Sequence, residues 1–100
     1  MIVEFSIIPL GKSEGLSEDV AEAIKIIKES GLPYQLGPMG TCIEGEWDQI
    51  MDVINKCRKK LRKKYKRVYL VIKVDDKEGA VNQITYKVRA VEEKLKRQTL

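Results

Sequence analysis

The chain has 100 residues, 43% hydrophobic and 34% charged, so it can bury a core and stay soluble as one domain spanning residues 1–100. No apolar run approaches the roughly 18 residues that cross a bilayer, and the N-terminus lacks the basic start of a signal peptide. Cys42 and Cys57 form no zinc or redox motif, the chain has no histidine, and isolated thiols suit a reducing cytoplasm.

The first half of the chain predicts a strand, a helix and a pair of short strands. IVEFSIIPL is rich in β-branched residues and predicts the first strand, and GKSEG predicts a loop. Ser17 is expected to cap a helix over residues 18–30, which Gly31 and Pro33 end. PYQLGPM and GTCIEGE then predict two short strands joined near Met39 and Gly40.

Two amphipathic helices and a strand are predicted in the second half. The second helix carries an apolar stripe at steps of three and four, formed by Trp47, Ile50, Ile54, Cys57 and Leu61. RVYLVIKVD predicts the fourth strand, and after the loop DDKEG a last helix repeats this spacing with Val81, Ile84, Val88, Val91 and Leu95. The order β-α-β-β-α-β-α predicts an α+β, ferredoxin-like β-α-β-β-α-β sandwich with an extra C-terminal helix.

Both helices of such a unit pack on one face of the sheet, and alternation along the strands sorts the side chains between the two faces. The apolar set is expected under the helices: Val3, Phe5, Ile7, Val68, Leu70, Ile72 and Val74. The other face, here called the open face, mixes apolar and polar side chains: Glu4, Ser6, Ile8, Tyr69, Val71, Lys73 and Asp75. This mixture predicts a covered but wet surface, such as a subunit interface that contains a ligand cavity.

The third strand leaves one question open, because alternation does not decide which of its two sets faces the helices. Thr41 and Ile43 point one way, and Cys42 and Glu44 point the other. If Glu44 lies on the open face, it joins Glu4 and Ser6 there. A carboxylate in a partly dry cavity is suited to a cation or an amine donor.

The stretch SGLPYQLGPMGTCIEGEWDQIM resembles the signature of the small thiamine-binding protein family. FSIIPLG resembles the first strand of that family, and SEDVAEAIKIIKESGL resembles its first helix. The likeness implies a ferredoxin-like fold whose sheets pack into homodimers, which pair into homotetramers. It also implies binding of thiamine (vitamin B1) or its hydroxymethylpyrimidine half, without catalysis. We expect the chain to act as a carrier or sensor, with no other cofactor and no metal.

A ligand with an aminopyrimidine and a cationic thiazolium calls for a carboxylate, hydroxyl groups and an aromatic or sulfur face. The resembling segments offer these groups, which are the candidate ligand-binding residues: Ser6, Tyr34, Met39, Thr41 and Glu44. Each also has a structural interpretation, such as a hydroxyl in a tight sheet contact or a tyrosine at an interface. No catalytic residue is assigned.

The segment from Lys56 to Arg67 supports an alternative function, because it carries nine basic residues and no acid. A ferredoxin-like sheet also serves RNA-recognition proteins, which stack bases on aromatic residues of the central strands. Here those strands supply only Phe5 and Tyr69, and the basic helix lies behind the sheet, so a solvated helix end is favoured over nucleic-acid binding. A third hypothesis, an enzyme with Glu44 as acid–base group, lacks a second titratable partner.

Overall fold

A computed structural model describes residues 1–11 and 15–99 of the chain. The elements follow the predicted order: β1 (Ile2–Leu10), α1 (Leu16–Ser30), β2 (Tyr34–Leu36), β3 (Thr41–Glu44), α2 (Trp47–Arg62), β4 (Arg67–Asp75) and α3 (Gln83–Thr99). The middle of the predicted GKSEG loop lies outside the described residues. No helix within the described ranges is long and apolar enough to span a membrane.

The ends of α1 are set by glycines. The expected N-cap at Ser17 is wrong, because the helix begins at Leu16 and its N-cap residue is Gly15, with φ of 74°. That left-handed conformation favours glycine, and it sets the entry of the chain without a capping side chain. The predicted stop is confirmed: Gly31 has φ of 77° and donates its N–H to the carbonyl of Lys28 at 3.3 Å.

The four strands form an antiparallel sheet in the order β2-β3-β1-β4, with α1 and α2 on one face, which confirms the ferredoxin-like fold. The register answers the question left open for β3. Val3 lies opposite Ile43 and Val74, whereas Glu4 lies opposite Cys42 and Lys73. Thr41 and Ile43 therefore share the helix-covered face, and Cys42 and Glu44 lie on the open face.

The core lies between the helix-covered face and the two helices. Its buried members come from β1, β3, α1 and α2: Val3, Phe5, Ala23, Ile27, Ile43, Ile50, Val53, Ile54 and Cys57. Most of the predicted α2 stripe is buried, but Trp47 is 52% exposed and stays outside this core. The helices also do not reach all of β4, because Ile72 and Val74 remain 39% and 41% exposed on the face that the helices cover.

The helix α3 leaves much of the open face uncovered. Its first residues approach the end of β3, while Val88 and Val91 on its apolar stripe stay at least half exposed. On the sheet itself, Ile8, Tyr69 and Val71 are also exposed. The chain therefore presents apolar side chains on the open face, as the mixed strand pattern predicted, and also on α3.

Candidate functional site

A partly enclosed cavity of about 330 Å³ lies between β1, α1 and the connection from β2 to β3. Its walls are mostly apolar, and their residues are Phe5, Ser6, Ile7, Ile8, Val20, Ala23, Ile24, Leu36, Gly37, Pro38, Met39, Gly40 and Thr41. Ligand pockets in proteins begin at about 300 Å³ and combine apolar walls with a few polar groups. The volume and lining therefore suit a small, flat organic molecule.

The cavity exists because the two neighbours of β1 differ in length. Along β4, β1 is paired from Ile2 to Leu10, but its pairing with β3 ends where Phe5 meets Thr41. From Ser6 to Ile8, the edge of β1 that faces away from β4 therefore borders the cavity instead of a strand. Strand edges carry N–H donors and C=O acceptors, so this segment offers backbone hydrogen-bonding groups to a ligand.

The rim opposite β1 is a tight turn from Gly37 to Gly40, closed by a 2.8 Å hydrogen bond that the Gly37 N–H donates to the Gly40 carbonyl. A side-chain carbon at Gly40 would lie 3.2 Å from both the Cγ of Glu4 and the carbonyl oxygen of Phe5. Such contacts are tighter than most real ones, so glycine lets this turn lie close against β1. Met39 projects from the turn and is 88% exposed.

The five candidate ligand-binding residues fall into two groups. Ser6, Met39 and Thr41 line the cavity. Tyr34 does not line it; this side chain lies opposite Ile43 and packs against the core. Glu44 lies at the far end of β3, opposite Ile2, and is also absent from the cavity lining. The structure thus brings three candidates together and separates two.

Glu44 has a structural partner that the sequence did not reveal. Its side chain is buried on the open face, where its two carboxylate oxygens accept the backbone N–H groups of Gln83 at 2.8 Å and Ile84 at 3.2 Å. These are the first two residues of α3, whose N-terminal amides lack partners within the helix. The carboxylate of Glu44 therefore anchors α3 to the sheet, with a favourable charge at the positive end of the helix dipole.

Glu4 is the carboxylate that lies beside the cavity rim. It is next to Gly40, on the open face, and its carboxylate forms an ion pair with Lys73 at 3.1 Å. Its side chain is 43% exposed, so it remains accessible to solvent and to a ligand at the rim. Alternation along β1 predicts Glu4 on this face, but its proximity to Gly40 depends on the β1–β3 register, which local patterns do not encode.

The wall formed by α1 is a second part of the site that the sequence analysis did not assign. Val20, Ala23 and Ile24 recur at helical spacing on one face of α1, and all three line the cavity. One sequence signal could have indicated that α1 forms a cavity wall, namely the proline and glycine content of the facing turn. A turn with little side-chain volume leaves space above the neighbouring helix.

Neither cysteine is suited to act as a nucleophile. Burial raises the pKa of the Cys57 thiol to about 11, and its Sγ lies 3.6 Å from the carbonyl oxygen of Ala23 in the core. Burial and the negative charge of Glu4 raise the pKa of Cys42 on the open face, and Lys73 partly opposes this effect. Both thiols therefore stay protonated near neutral pH, which disfavours thiolate chemistry.

The basic segment from Lys56 to Arg67 spans the end of α2, the loop that follows and the first residue of β4, and α2 lies on the face of the sheet opposite the open face. Part of its charge is paired, because Lys56 contacts Asp52 at 3.1 Å and Lys64 contacts Glu22 at 2.6 Å. The nucleic-acid alternative gains no support from this placement. Across the described residues, no group of three or more carboxylate or thiol side chains is placed to hold a metal ion.

Comparisons with known proteins agree on one family. The sequence model described as "Thiamine-binding protein" matches residues 3–92. A UPF0045 protein of Mycobacterium bovis is 42% identical over 98 residues, which cover 97% of this chain and 96% of that protein. A hypothetical protein of Methanocaldococcus jannaschii has a crystal structure that superposes with a TM-score of 0.84 at 33% identity, covering 92% of this chain and 95% of the other.

A second solved structure belongs to a Thermotoga maritima protein named for thiamine biosynthesis or salvage. It superposes with a TM-score of 0.80 at 31% identity, and the match covers 90% of this chain and 96% of that one. The same fold and most of the length are thus shared with proteins from distant organisms.

The Glu44 contact to α3 gives a stability prediction. Replacing Glu44→Gln removes the negative charge at a helix N-terminus and exchanges one of the two accepting oxygens for an NH2 group, which cannot accept an N–H. We therefore expect a loss of about 1–2 kcal/mol in the free energy of unfolding, measured in urea. The amides of Gln83 and Ile84 should also exchange with solvent faster. The control Glu92→Gln, an exposed position on α3, should change neither quantity. Equal stability and equal exchange in Glu44→Gln would show that α3 does not depend on this carboxylate.

Proposed function

The chain belongs to the thiamine-binding protein family, and on this premise we propose that it binds thiamine, or the hydroxymethylpyrimidine half of thiamine, in the cavity between β1, α1 and the Gly37–Gly40 turn. It binds without catalysis and acts as a cytoplasmic carrier or sensor. One observation carries the proposal: the cavity joins apolar walls to a strand edge, from Ser6 to Ile8, that has no β3 partner.

The pyrimidine ring matches this edge in its hydrogen-bonding groups. An aminopyrimidine presents an amine donor beside ring-nitrogen acceptors, and a strand edge presents carbonyl acceptors and N–H donors. The apolar walls formed by Val20, Ala23 and Leu36 suit the faces of a flat ring. Met39, exposed on the turn, can fold its sulfur over the ring. The hydroxyls of Ser6 and Thr41 add further polar partners within the lining.

The cationic thiazolium of thiamine fits at the rim of the cavity. A ligand whose pyrimidine occupies the cavity reaches the rim near Gly40, where the Glu4 carboxylate lies. Glu4 already balances the positive charge of Lys73, so a second cation would share or replace that ion pair. This arrangement gives the role of the carboxylate to Glu4, while Glu44 holds α3.

Binding without reaction fits the chemistry of the lining. General acid–base catalysis needs a titratable group within hydrogen-bonding distance of the reacting atom. Among the described residues that line the cavity, none is ionisable, and the chain has no histidine. The lining therefore supports recognition of a ligand more readily than its conversion.

Self-association completes the proposed function, with homodimers that pair into homotetramers. The open face supports it, because Ile8, Tyr69 and Val71 form an apolar area beside the charged pair of Glu4 and Lys73. A second copy of the chain would cover this area and shield the rim of the cavity from water. Native mass spectrometry reports the number of subunits, and a monomer at micromolar concentration would contradict this part of the proposal.

Filling the cavity should weaken the binding of both ligands. Val20 lines the cavity and is 41% exposed, so Val20→Trp can place an indole in the opening without disturbing the core. We expect isothermal titration calorimetry to show at least about tenfold weaker binding of thiamine and of hydroxymethylpyrimidine. The control Ala21→Trp puts the same ring on the exposed neighbour of Val20 and should bind like the unmodified chain. Absence of binding to the unmodified chain at millimolar ligand would contradict the proposal itself.

Changing the charge at the rim should separate the two ligands. Glu4→Gln removes a carboxylate that thiamine would contact through its thiazolium and that hydroxymethylpyrimidine would not contact. Thiamine binding should therefore weaken about threefold to fivefold, as expected for a partly exposed ion pair, while hydroxymethylpyrimidine binding stays the same. Glu44→Gln is the matched control and should leave both affinities unchanged. Weaker thiamine binding in Glu44→Gln with no change in Glu4→Gln would contradict this assignment and would indicate that thiamine binds near Glu44, at the far end of β3.

A further inference from the structure

The outer edge of β4 is the longest unpaired strand edge in the described sheet. β4 is the last strand in the order, and all nine of its residues pair with β1 without a bulge. Its sequence RVYLVIKVD has no proline, and every residue from Val71 to Asp75 is exposed. Proteins usually shorten, bend or charge such edges, because an exposed, regular strand tends to pair with another strand.

The charges along β4 are self-complementary. In an antiparallel pair of two β4 strands with Val71 on the two-fold axis, all nine residues of each strand find a partner. Arg67 then lies opposite Asp75 of the second copy, where it joins the ion pair that Asp75 forms with Lys87 of its own chain at 2.5 Å. The same contact recurs at the other end of the ladder. Tyr69 lies opposite Lys73 on the same face, where an ammonium can approach an aromatic ring.

Other registers lose this match. A shift of one residue would put the two apolar sets on opposite faces of the sheet. A shift of two residues in one direction places Arg67 opposite Lys73, which sets like charges against each other. The same shift in the other direction places Val71 opposite Lys73, and either shift removes two pairs from the ladder. The register centred on Val71 is therefore favoured by both charge and length.

The exposed apolar side chains of β4 also favour a second β4 strand as the partner. Ile72 and Val74 are 39% and 41% exposed although they lie on the helix-covered face, so α1 and α2 leave this edge unfilled. In the register centred on Val71, Leu70 faces Ile72 of the second copy, and Val68 faces Val74. Two apolar pairs on each side of the axis would then cover the exposed side chains.

We propose that β4 pairs with β4 of a second copy of this chain, antiparallel and centred on Val71, so that two four-stranded sheets become one eight-stranded sheet. The pairing uses the backbone edge of β4 rather than the surface of the open face, although Tyr69, Lys73 and Asp75 also lie on that face. It needs neither the ligand nor the cavity. It specifies how the dimers of the proposed assembly join, with one contact through the open faces and the other through the strand edges.

Charge reversal tests this pairing. Arg67→Asp sets two carboxylates against each other at both ends of the ladder and leaves the Asp75–Lys87 pair of each chain in place. Asp75→Arg sets two cations against each other there and also removes that pair, so Arg67→Asp is the cleaner single variant. We expect each variant alone to associate at least about tenfold more weakly at the β4 contact, so that tetramers dissociate to dimers in native mass spectrometry. Mixing the two variants in equal amounts should restore the tetramer, because each introduced charge then faces the opposite introduced charge and the remaining native pair is intact.

The controls separate this contact from general charge effects and from the proposed function. Lys59→Asp and Asp48→Arg, on α2, reverse the same charges away from β4 and should leave the assembly unchanged; circular dichroism verifies that every variant is folded. Normal assembly of both single variants, or no recovery on mixing, would overturn the β4 pairing and leave association through the open face standing. A monomeric unmodified chain at micromolar concentration would overturn both contacts, while ligand binding is measured independently of either.

Discussion

The cavity depends on a mismatch in strand length. β1 pairs with β4 from Ile2 to Leu10, but β3 begins at Thr41, opposite Phe5, because the chain has turned back through Gly37 and Gly40. Buried backbone groups without partners are costly, so a strand edge left bare beside apolar walls favours water or a ligand with matching donors and acceptors. The short hairpin thus creates the cavity, sets its polar side and brings Met39 and Thr41 to its rim.

The two faces of the sheet have different roles. The helix-covered face supplies the core and, at its end, the α1 wall of the cavity. The open face holds the two carboxylates in different roles: Glu4 is half exposed beside the rim, whereas Glu44 is buried and binds the first amides of α3. To bind a ligand, the Glu44 carboxylate would have to break its hydrogen bonds to the first amides of α3. Glu4, which is partly exposed and makes no bond to a helix terminus, is therefore the better partner for a cation.

Local patterns predicted the fold well because they report local physics. Alternation in β1 separated Val3 and Phe5 from Glu4, and the stripe of α2 placed Ile50 and Cys57 in the core. The candidate site was predicted only in part, since pairing register and contacts between distant residues leave no periodic signal. Glu44 and Gln83 are 39 positions apart in the chain, and nothing near either residue indicates their hydrogen bond. Ser17 failed as a cap for a smaller reason, because Gly15 could begin the helix earlier in a left-handed conformation.

The most direct measurement of the central claim is a titration of the ¹⁵N-labelled chain with hydroxymethylpyrimidine, followed by amide chemical shifts. The account predicts that the largest changes occur at the bare edge of β1, from Ser6 to Ile8, and at Gly37 and Gly40 in the facing turn. Largest changes at Glu44 and at the start of α3, with the edge of β1 unaffected, would contradict it.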